Sequence, residues 1–132
     1  VAVAVDGGPM VPVVHGADRL GLAELAERTR DLAERARDGG LTADELSDGT
    51  FTVTSLGGQG IDAFTPILSP PESAILGVGR TKDAPTRYDD QVVWRQEMTL
   101  SLTLDHRAVD GYPGALFLAR VVELLARPRS LV

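Results

Sequence analysis

The amino-acid sequence predicts an α/β fold, an α+β two-layer sandwich in which a mixed sheet is covered by helices on one side. Two amphipathic helical patterns, over residues 22–38 and from Gly111 to Pro128, are separated by strand-like runs. The longest of these runs, 92–104, alternates apolar and polar residues with a period of two, which is typical of a strand with one packed face. Together these patterns favour a single domain built on one sheet.

The first half of the chain predicts two short strands and one long helix. Residues 1–5 and 10–14 are β-branched runs separated by the turn-forming residues 6–9. The helix over 22–38 has an apolar face formed by Leu22, Leu25, Ala26, Leu32, Ala33 and Ala36. Opposite charges four residues apart support its outer face, and Gly39-Gly40 ends it.

Shorter elements follow in the middle of the chain. Thr42-Ala43-Asp44-Glu45 has the spacing of a capping box and predicts a very short second helix. A turn at Asp48-Gly49 leads into a strand over 50–54, and a buried strand over 73–78 is entered through Pro70-Pro71.

The last third predicts a long strand and a second helix. Residues 88–91 form a turn, and the strand after it places most of its apolar residues on one face, namely Val92, Trp94, Met98, Leu100, Leu102 and Leu104. The helix after Gly111 presents Ala115, Leu118, Ala119, Val122 and Leu125 on one face until Pro128 ends it.

Composition excludes several classes of function. The chain has 132 residues and a net charge of -6, which argues against nucleic acid as the main partner. There is no cysteine, so a disulfide framework, a thiolate nucleophile and a cysteine-based metal site are excluded. We expect no membrane span and a cytoplasmic location. Because the chain begins with Val1-Ala2-Val3 and no initiator Met, we expect a fragment that starts inside a strand.

The segment Asp105-His106-Arg107-Ala108-Val109-Asp110-Gly111 is the main candidate for chemistry. Histidine has an unperturbed pKa close to neutrality and therefore suits proton transfer at physiological pH. A carboxylate four residues later can fix the local geometry, and a glycine allows a tight turn into the next helix. A lone histidine at a strand end is more often structural, and we assign that role to His15.

Three segments, taken in order, resemble the catalytic domain of the dihydrolipoamide acyltransferases of 2-oxoacid dehydrogenase complexes. They are Gly49-Thr50-Phe51-Thr52-Val53-Thr54-Ser55-Leu56-Gly57, then residues 64–79, and then the Asp-His-Arg-x-x-Asp-Gly segment. The resemblance covers residues 1–132 and implies the C-terminal part of one catalytic domain with a chloramphenicol-acetyltransferase-like fold. The lipoyl and subunit-binding domains of the family have no counterpart in this sequence.

The resemblance also implies roles for individual residues. His106 corresponds to the general base, and Thr54 to the hydroxyl group that stabilises the oxyanion, with Ser55 as its substitute. Asp110 corresponds to the residue that steadies the site through a hydrogen bond to an arginine, and Arg107 is nearby in sequence. From the residues alone, Asp110 could equally be the N-cap of the final helix, and Arg107 an ion-pair partner or a surface charge.

The reaction implied by the family has two thiol substrates. An acyl group moves between a lipoyl group, carried on a separate domain, and coenzyme A, with no metal. The resemblance further implies a homotrimer whose histidine and hydroxyl come from neighbouring subunits, assembly into a larger cage, and decarboxylase and dihydrolipoamide dehydrogenase components as partners. Residues that bind coenzyme A are not assigned. A complex of the pyruvate or branched-chain type is favoured.

Two alternatives stay open. A non-catalytic scaffold subunit of the same complex would keep the fold, but it would have no reason to keep His106, Asp110 and Thr54. A trimeric enzyme of the chloramphenicol acetyltransferase type shares the His-x-x-x-Asp-Gly pattern. That group tends to carry a second histidine directly before the catalytic one, where this chain has Asp105.

Overall fold

The structure is a computed structural model that describes residues 1–127. Its strands are β1 Val3–Val5, β2 Gly8–Met10, β3 Thr52–Ser55, β4 Ala74–Val78, β5 Lys82–Tyr88, β6 Gln91–Glu97 and β7 Leu100–Leu104. Its long helices are α1 Leu22–Arg37 and α2 Gly111–Ala126. Single 3-10 turns lie at Ala17–Arg19, Asp44–Leu46 and Gly57–Gln59.

A mixed three-stranded sheet forms the centre of the fold, in the order β3-β4-β7. The strand β4 pairs in parallel with β3 and antiparallel with β7, and Ala74, Ile75 and Leu76 of β4 are buried. Of the two helices, α2 contacts β7, whereas α1 contacts β1 and buries Leu32 and Ala36. A mixed sheet with helices confirms the predicted α/β class.

The N-terminal hairpin differs from the prediction in its register. The strands β1 and β2 pair antiparallel from Val3 opposite Met10 to Val5 opposite Gly8, so Gly8 and Pro9 belong to a strand and not to the turn. The predicted strand over 10–14 was wrong beyond Met10. Pro12 has no N–H to donate and cannot continue the ladder. Val13 N instead donates to the carbonyl of Glu45 at 2.8 Å.

The helix α1 confirms the predicted span to within one residue at its C-terminus. Gly39 takes a positive φ of 71°, and Gly40 N donates to Arg35 O at 2.8 Å, which ends the helix. The capping box is also present, because Thr42 N donates to Glu45 Oε2 at 2.9 Å while Glu45 N donates to Thr42 Oγ1 at 3.4 Å. The element that it starts is a single 3-10 turn.

The predicted long strand over 92–104 is two strands in two different sheets. Its first part, β6, forms a separate hairpin with β5, and only β7 enters the central sheet. Val92 and Trp94 are 73% and 72% exposed, so the prediction of one packed apolar face along the whole run was wrong. The turn over 88–91 is confirmed, with positive φ values of 48° at Asp89 and 60° at Asp90, as a tight hairpin requires.

The helix α2 begins at Gly111, as predicted, and packs on β7 through Gly114. A Cβ atom at Gly114 would lie 2.1 Å from Leu104 Cδ1, so the helix approaches the strand more closely than any larger residue would allow. Pro128, which was predicted to end the helix, lies outside the described residues. Within residues 1–127, no helix combines the length and apolar character that a bilayer span requires.

Candidate active site

The candidate histidine lies in a turn that is fixed to the end of the central sheet. After β7 ends at Leu104, Asp105 N donates to Ser73 O at 2.9 Å, which holds the start of the turn beside the entry to β4. Ala108 N and Val109 N then donate to Asp105 O at 2.9 and 3.0 Å and close the turn. His106 therefore sits on a backbone that main-chain hydrogen bonds hold on both sides.

His106 and Asp110 face each other across this turn. Nδ1 of His106 lies 3.7 Å from Oδ1 of Asp110, which is ion-pair distance but longer than a hydrogen bond. Both side chains are exposed, at 78% and 82%. The contact uses Nδ1, so a carboxylate at this position favours the arrangement in which Nε2 accepts a proton from a substrate.

Arg107 pairs with Asp105 and not with Asp110. Its Nε and Nη2 donate to the Asp105 carboxylate at 2.9 and 2.6 Å, a two-pronged contact that lowers the pKa of Asp105 to about 2. Of the two roles left open for Arg107, the structure shows the ion-pair partner, with Asp105. Which arginine holds Asp110 stays a prediction. Asp110 occupies the N-cap position of α2, but its side chain makes no capping hydrogen bond.

The two candidate hydroxyl groups lie at the end of β3 in different environments. Ser55 Oγ donates to Val78 O at 3.2 Å and accepts from Gly57 N at 3.3 Å, so main-chain groups already occupy it. Thr54 is half-buried and lies opposite Gly77 of β4, and residues 1–127 contain no hydrogen-bond partner for its side chain. Thr54 is therefore the hydroxyl with spare capacity to donate.

The loop over residues 57–62 follows these hydroxyl groups and packs closely against the backbone at Gly79. A Cβ atom at Gly79 would lie 1.9 Å from Asp62 O, and one at Gly57 would lie 2.8 Å from Gly79 O. Asp62 pairs with Lys82 at 2.8 Å and with Arg80, and these two cations lower the pKa of its carboxyl group. Sequence reasoning missed this support, although Gly77 in the buried strand β4 and Gly79 just after that strand are a signal for close backbone approach.

The structure does not bring Thr54 to His106 within one chain. Thr54 is the register partner of Gly77 in β4, and Gly77 is the register partner of Ser101 in β7. Leu104, the last residue of β7, lies three residues beyond Ser101, which is roughly 10 Å at about 3.3 Å per residue. His106 lies beyond Leu104, so the two candidates are two strands apart and towards opposite ends of the sheet.

The described residues 1–127 contain no group of three or more His, Asp or Glu side chains arranged to hold a metal ion.

The fold and the candidate site define an α/β domain with a histidine on a strand-to-helix turn. The chain belongs to the 2-oxoacid dehydrogenases acyltransferase (catalytic domain) family, whose model matches residues 1–132. It is 43% identical over its full length to the dihydrolipoyllysine-residue acetyltransferase component of the acetoin cleaving system of Bacillus subtilis. It is 42% identical to the succinyltransferase component of the 2-oxoglutarate dehydrogenase complex of Haemophilus influenzae.

Solved structures show the same relationship. The dihydrolipoamide acetyltransferase of Azotobacter vinelandii is similar with a TM-score of 0.92 and 40% identity, over 98% of this chain and 54% of that one. A truncated catalytic core from Thermoplasma acidophilum is similar with a TM-score of 0.87 and 37% identity, over 96% of this chain and 56% of that one. The chain spans about half of these cores and about a third, 33% and 32%, of the two curated relatives, whose C-terminal part it matches.

Proposed function

We propose that this chain is the C-terminal part of an acyltransferase domain that moves an acyl group between dihydrolipoyl and coenzyme A thiols in a 2-oxoacid dehydrogenase complex. Family membership supports the reaction class. The observation that carries the assignment of residues is the separation of Thr54, His106 and Asp110 along the chain.

The Azotobacter vinelandii acetyltransferase was investigated for the role of a serine, a histidine and an asparagine in its catalytic mechanism. In that protein the serine precedes the histidine by 52 positions and the asparagine follows it by 4. Thr54, His106 and Asp110 have the same separations, whereas Ser55 would be one position off. The equal separations support Thr54 as the hydroxyl donor, and they support Asp110 as the counterpart of that relative's asparagine, whose side chain is a neutral amide.

His106 acts as the general base in the proposed mechanism. A free thiol has a pKa near 8.5 and is mostly protonated at neutrality, so the attacking sulfur needs help to lose its proton. Nε2 of His106 takes that proton as the sulfur forms a bond to the thioester carbon. When the carbon–sulfur bond of the original thioester breaks, the imidazolium returns the proton to the leaving thiolate.

Thr54 stabilises the charge that this attack creates. The carbonyl oxygen becomes an oxyanion in the tetrahedral intermediate, and the Thr54 hydroxyl donates a hydrogen bond to it. Asp110 lies 3.7 Å from Nδ1 of His106 and favours the imidazolium electrostatically as it forms. Because Arg107 holds Asp105 instead, Asp110 acts on the histidine without an intervening arginine.

The site is completed by a neighbouring copy. Within one chain, two strands and roughly 10 Å of strand length separate Thr54 from the turn that holds His106. We therefore propose that His106 of one copy meets Thr54 of the next in a homotrimer. One similar structure is the cubic core of a pyruvate dehydrogenase multienzyme complex, which supports assembly of such trimers into a cage. The decarboxylase and dihydrolipoamide dehydrogenase components are the proposed partners.

A comparison of acyl donors is needed to identify the acyl group that is transferred. We favour a pyruvate-type or branched-chain-type group, but relatives named for acetyl and for succinyl transfer are about equally similar to this chain, at 43% and 42% identity. The assay uses a completed core, in which the part of the Azotobacter vinelandii core that precedes the matched region is fused to Val1. Acetyl-, isobutyryl- and succinyl-coenzyme A are compared as donors to dihydrolipoamide.

The histidine variants supply the decisive comparison. His106→Ala is expected to lower kcat by about 10²–10⁴-fold, which is the usual contribution of a general base. His15→Ala is the matched control, because it removes the other histidine of the chain, which contacts Asp44 O at 3.2 Å, and should leave kcat unchanged. If assembled trimers transfer none of the three acyl groups, the enzyme proposal is wrong and the scaffold alternative remains.

A further inference from the structure

The three central strands place Thr54 and Thr103 on the same face of the sheet. Gly77 is the register partner of both Thr54 and Ser101. Because successive side chains on a strand point to opposite faces, Thr103, two residues after Ser101, lies on the face that carries Thr54. The helix α2 packs on Leu104 and therefore covers the opposite face. The face of Thr54 is left for another part of the chain to cover.

An irregular segment, residues 64–66, crosses this face at Gly77. The segment belongs to no helix or strand, and within it Pro66 is buried and Phe64 is half-buried. A Cβ atom at Gly77 would lie 3.1 Å from Phe64 Cζ and 3.2 Å from Pro66 Cδ. Neighbouring strands are about 4.8 Å apart, so these two side chains fill the space directly beside Thr54.

The hydroxyl group of Thr103 holds this segment on the sheet. Oγ1 of Thr103 donates to Pro66 O at 2.8 Å, and the bond is partly buried. In the part of the chain that the structure describes, the main chain of residues 63–68 makes no other hydrogen bond. A segment with so few backbone hydrogen bonds opens at a low cost in free energy. This one bond therefore largely decides where the segment lies.

We propose that Thr103 is a positioning residue for acyl transfer, which acts on Thr54 through the segment 64–66. The inference rests on the proposed role of Thr54 as the oxyanion donor. The segment takes the place of a side chain at Gly77, so it keeps water from this side of Thr54 and limits the directions that the hydroxyl can take. An oxyanion donor is most effective when it is aimed in advance and shielded from water. A displaced segment therefore lowers the rate, although Thr103 itself touches no substrate.

Thr103→Val in the completed core removes the hydroxyl and nearly preserves the size of the side chain. We expect kcat to fall by about 10–10²-fold, as displacements of about 1 Å near reacting groups do, while KM for either substrate changes far less. Thr103→Ser keeps the hydroxyl and should retain most of the activity. Thr29→Val is the matched control, because it removes a partly buried threonine hydroxyl of α1 that donates to Leu25 O at 2.7 Å. It should leave kcat unchanged.

A double-mutant cycle with Thr54→Val separates positioning from general structural damage. In the Thr54→Val background, Thr103→Val should lower kcat by less than about twofold, because no hydroxyl remains to be positioned. An equal fall in both backgrounds would overturn the proposal. So would an unchanged kcat in the single variant, or a Thr103→Ser variant as damaged as Thr103→Val.

A nitroxide spin label tests the anchoring without any assay of acyl transfer. The chain has no cysteine, and Ile67 is 90% exposed, so Ile67→Cys supplies one labelling site once any cysteine of the fused part is replaced. Thr103→Val should make this label more mobile, whereas Thr29→Val should not. An unchanged spectrum in Thr103→Val would overturn the proposal. If the label responds but the unmutated core transfers no acyl group, the proposed function has failed and the positioning role with it, while the anchoring stands.

Discussion

The adjacent hydroxyl groups of Thr54 and Ser55 differ in whether main-chain groups already occupy them. Ser55 already bonds Val78 O and Gly57 N, whereas Thr54 has the separation from His106 that the Azotobacter vinelandii serine has from its histidine. We expect Thr54→Val to lower kcat in the completed core by about 10²–10³-fold, because one oxyanion donor is lost. Steady-state transfer to dihydrolipoamide measures this loss.

Two substitutions control for structural damage at the same strand end. Thr54→Ser keeps the hydroxyl and should retain most of the activity, and Ser55→Ala should lower kcat far less than Thr54→Val. If Ser55→Ala proves to be the more damaging change, the donor is Ser55, and the main-chain bonds of its hydroxyl rearrange when substrate binds.

The histidine, the carboxylate and the hydroxyl were predictable from sequence to different degrees. His106 and Asp110 are four residues apart in one turn, so their contact could be expected from the sequence alone. The ion pair between Arg107 and Asp105 could not be predicted, because Asp105 and Asp110 flank the arginine at similar distances along the chain. Only the side-chain geometry decides between them.

At the scale of elements, the loop 57–62 is held against the end of β4 by close backbone contact. A Cβ atom at Gly79 would lie 1.9 Å from Asp62 O, and a backbone carbonyl cannot move without moving the loop. We expect Gly79→Ala to lower the free energy of unfolding by at least about 1–3 kcal/mol. Urea denaturation measures the change.

Gly58→Ala is the matched control in the same loop. A Cβ atom there would meet nothing within 4 Å, so stability should change by less than about 0.5 kcal/mol. If Gly79→Ala is as harmless as Gly58→Ala, the loop is not held by this contact and has room to shift away from β4.

The elements that sequence reasoning missed are those without a hydrophobic signal. The strand β5 reads Lys82-Asp83-Ala84-Pro85-Thr86-Arg87-Tyr88, which has no apolar alternation and contains a proline. It forms because β6 pairs with it across a tight turn, not because it covers a core. The boundary between β6 and β7 was missed for a different reason, so that the two looked like one strand. Their apolar residues continue the same period through Met98, while the chain passes from the hairpin into the central sheet.

At the scale of the whole molecule, Thr54 and His106 lie towards opposite ends of one sheet. If neighbouring copies share the site, two inactive variants can complement each other. We expect completed cores carrying His106→Ala or Thr54→Val, when co-expressed in equal amounts, to regain about a quarter of the unmutated activity. Each restored site needs the Thr54→Val copy to supply the histidine and the His106→Ala copy to supply the hydroxyl.

The double variant is the control for this complementation. A completed core in which every chain carries both substitutions should stay inactive, because no copy can supply either the histidine or the hydroxyl. If the co-expressed single variants stay inactive as well, although mixed trimers form, then each site takes both residues from the same copy. This outcome would require a rearrangement that brings the two ends of the sheet together.

A single sequence could not predict this separation or the buried, unpaired hydroxyl of Thr52. Thr54 and His106 belong to motifs of the same resemblance, and only the register of β3, β4 and β7 shows how far apart they lie. Thr52 reads as an ordinary strand residue, because neither its 1% exposure nor its missing partner leaves any mark on the sequence.

The hairpin of β5 and β6 leaves and re-enters the central sheet at the same point. Val78 and Leu100 are direct register partners, and Gly79 N donates to Thr99 O at 2.9 Å. The residues between Gly79 and Thr99 therefore form an insertion whose two ends are hydrogen-bonded to each other. Insertions or deletions within it need not shift β4 against β7 or move the turn that holds His106. Over evolutionary time, the length and surface of this hairpin can therefore diverge between descendants while the chemistry at the other end of β7 is inherited unchanged.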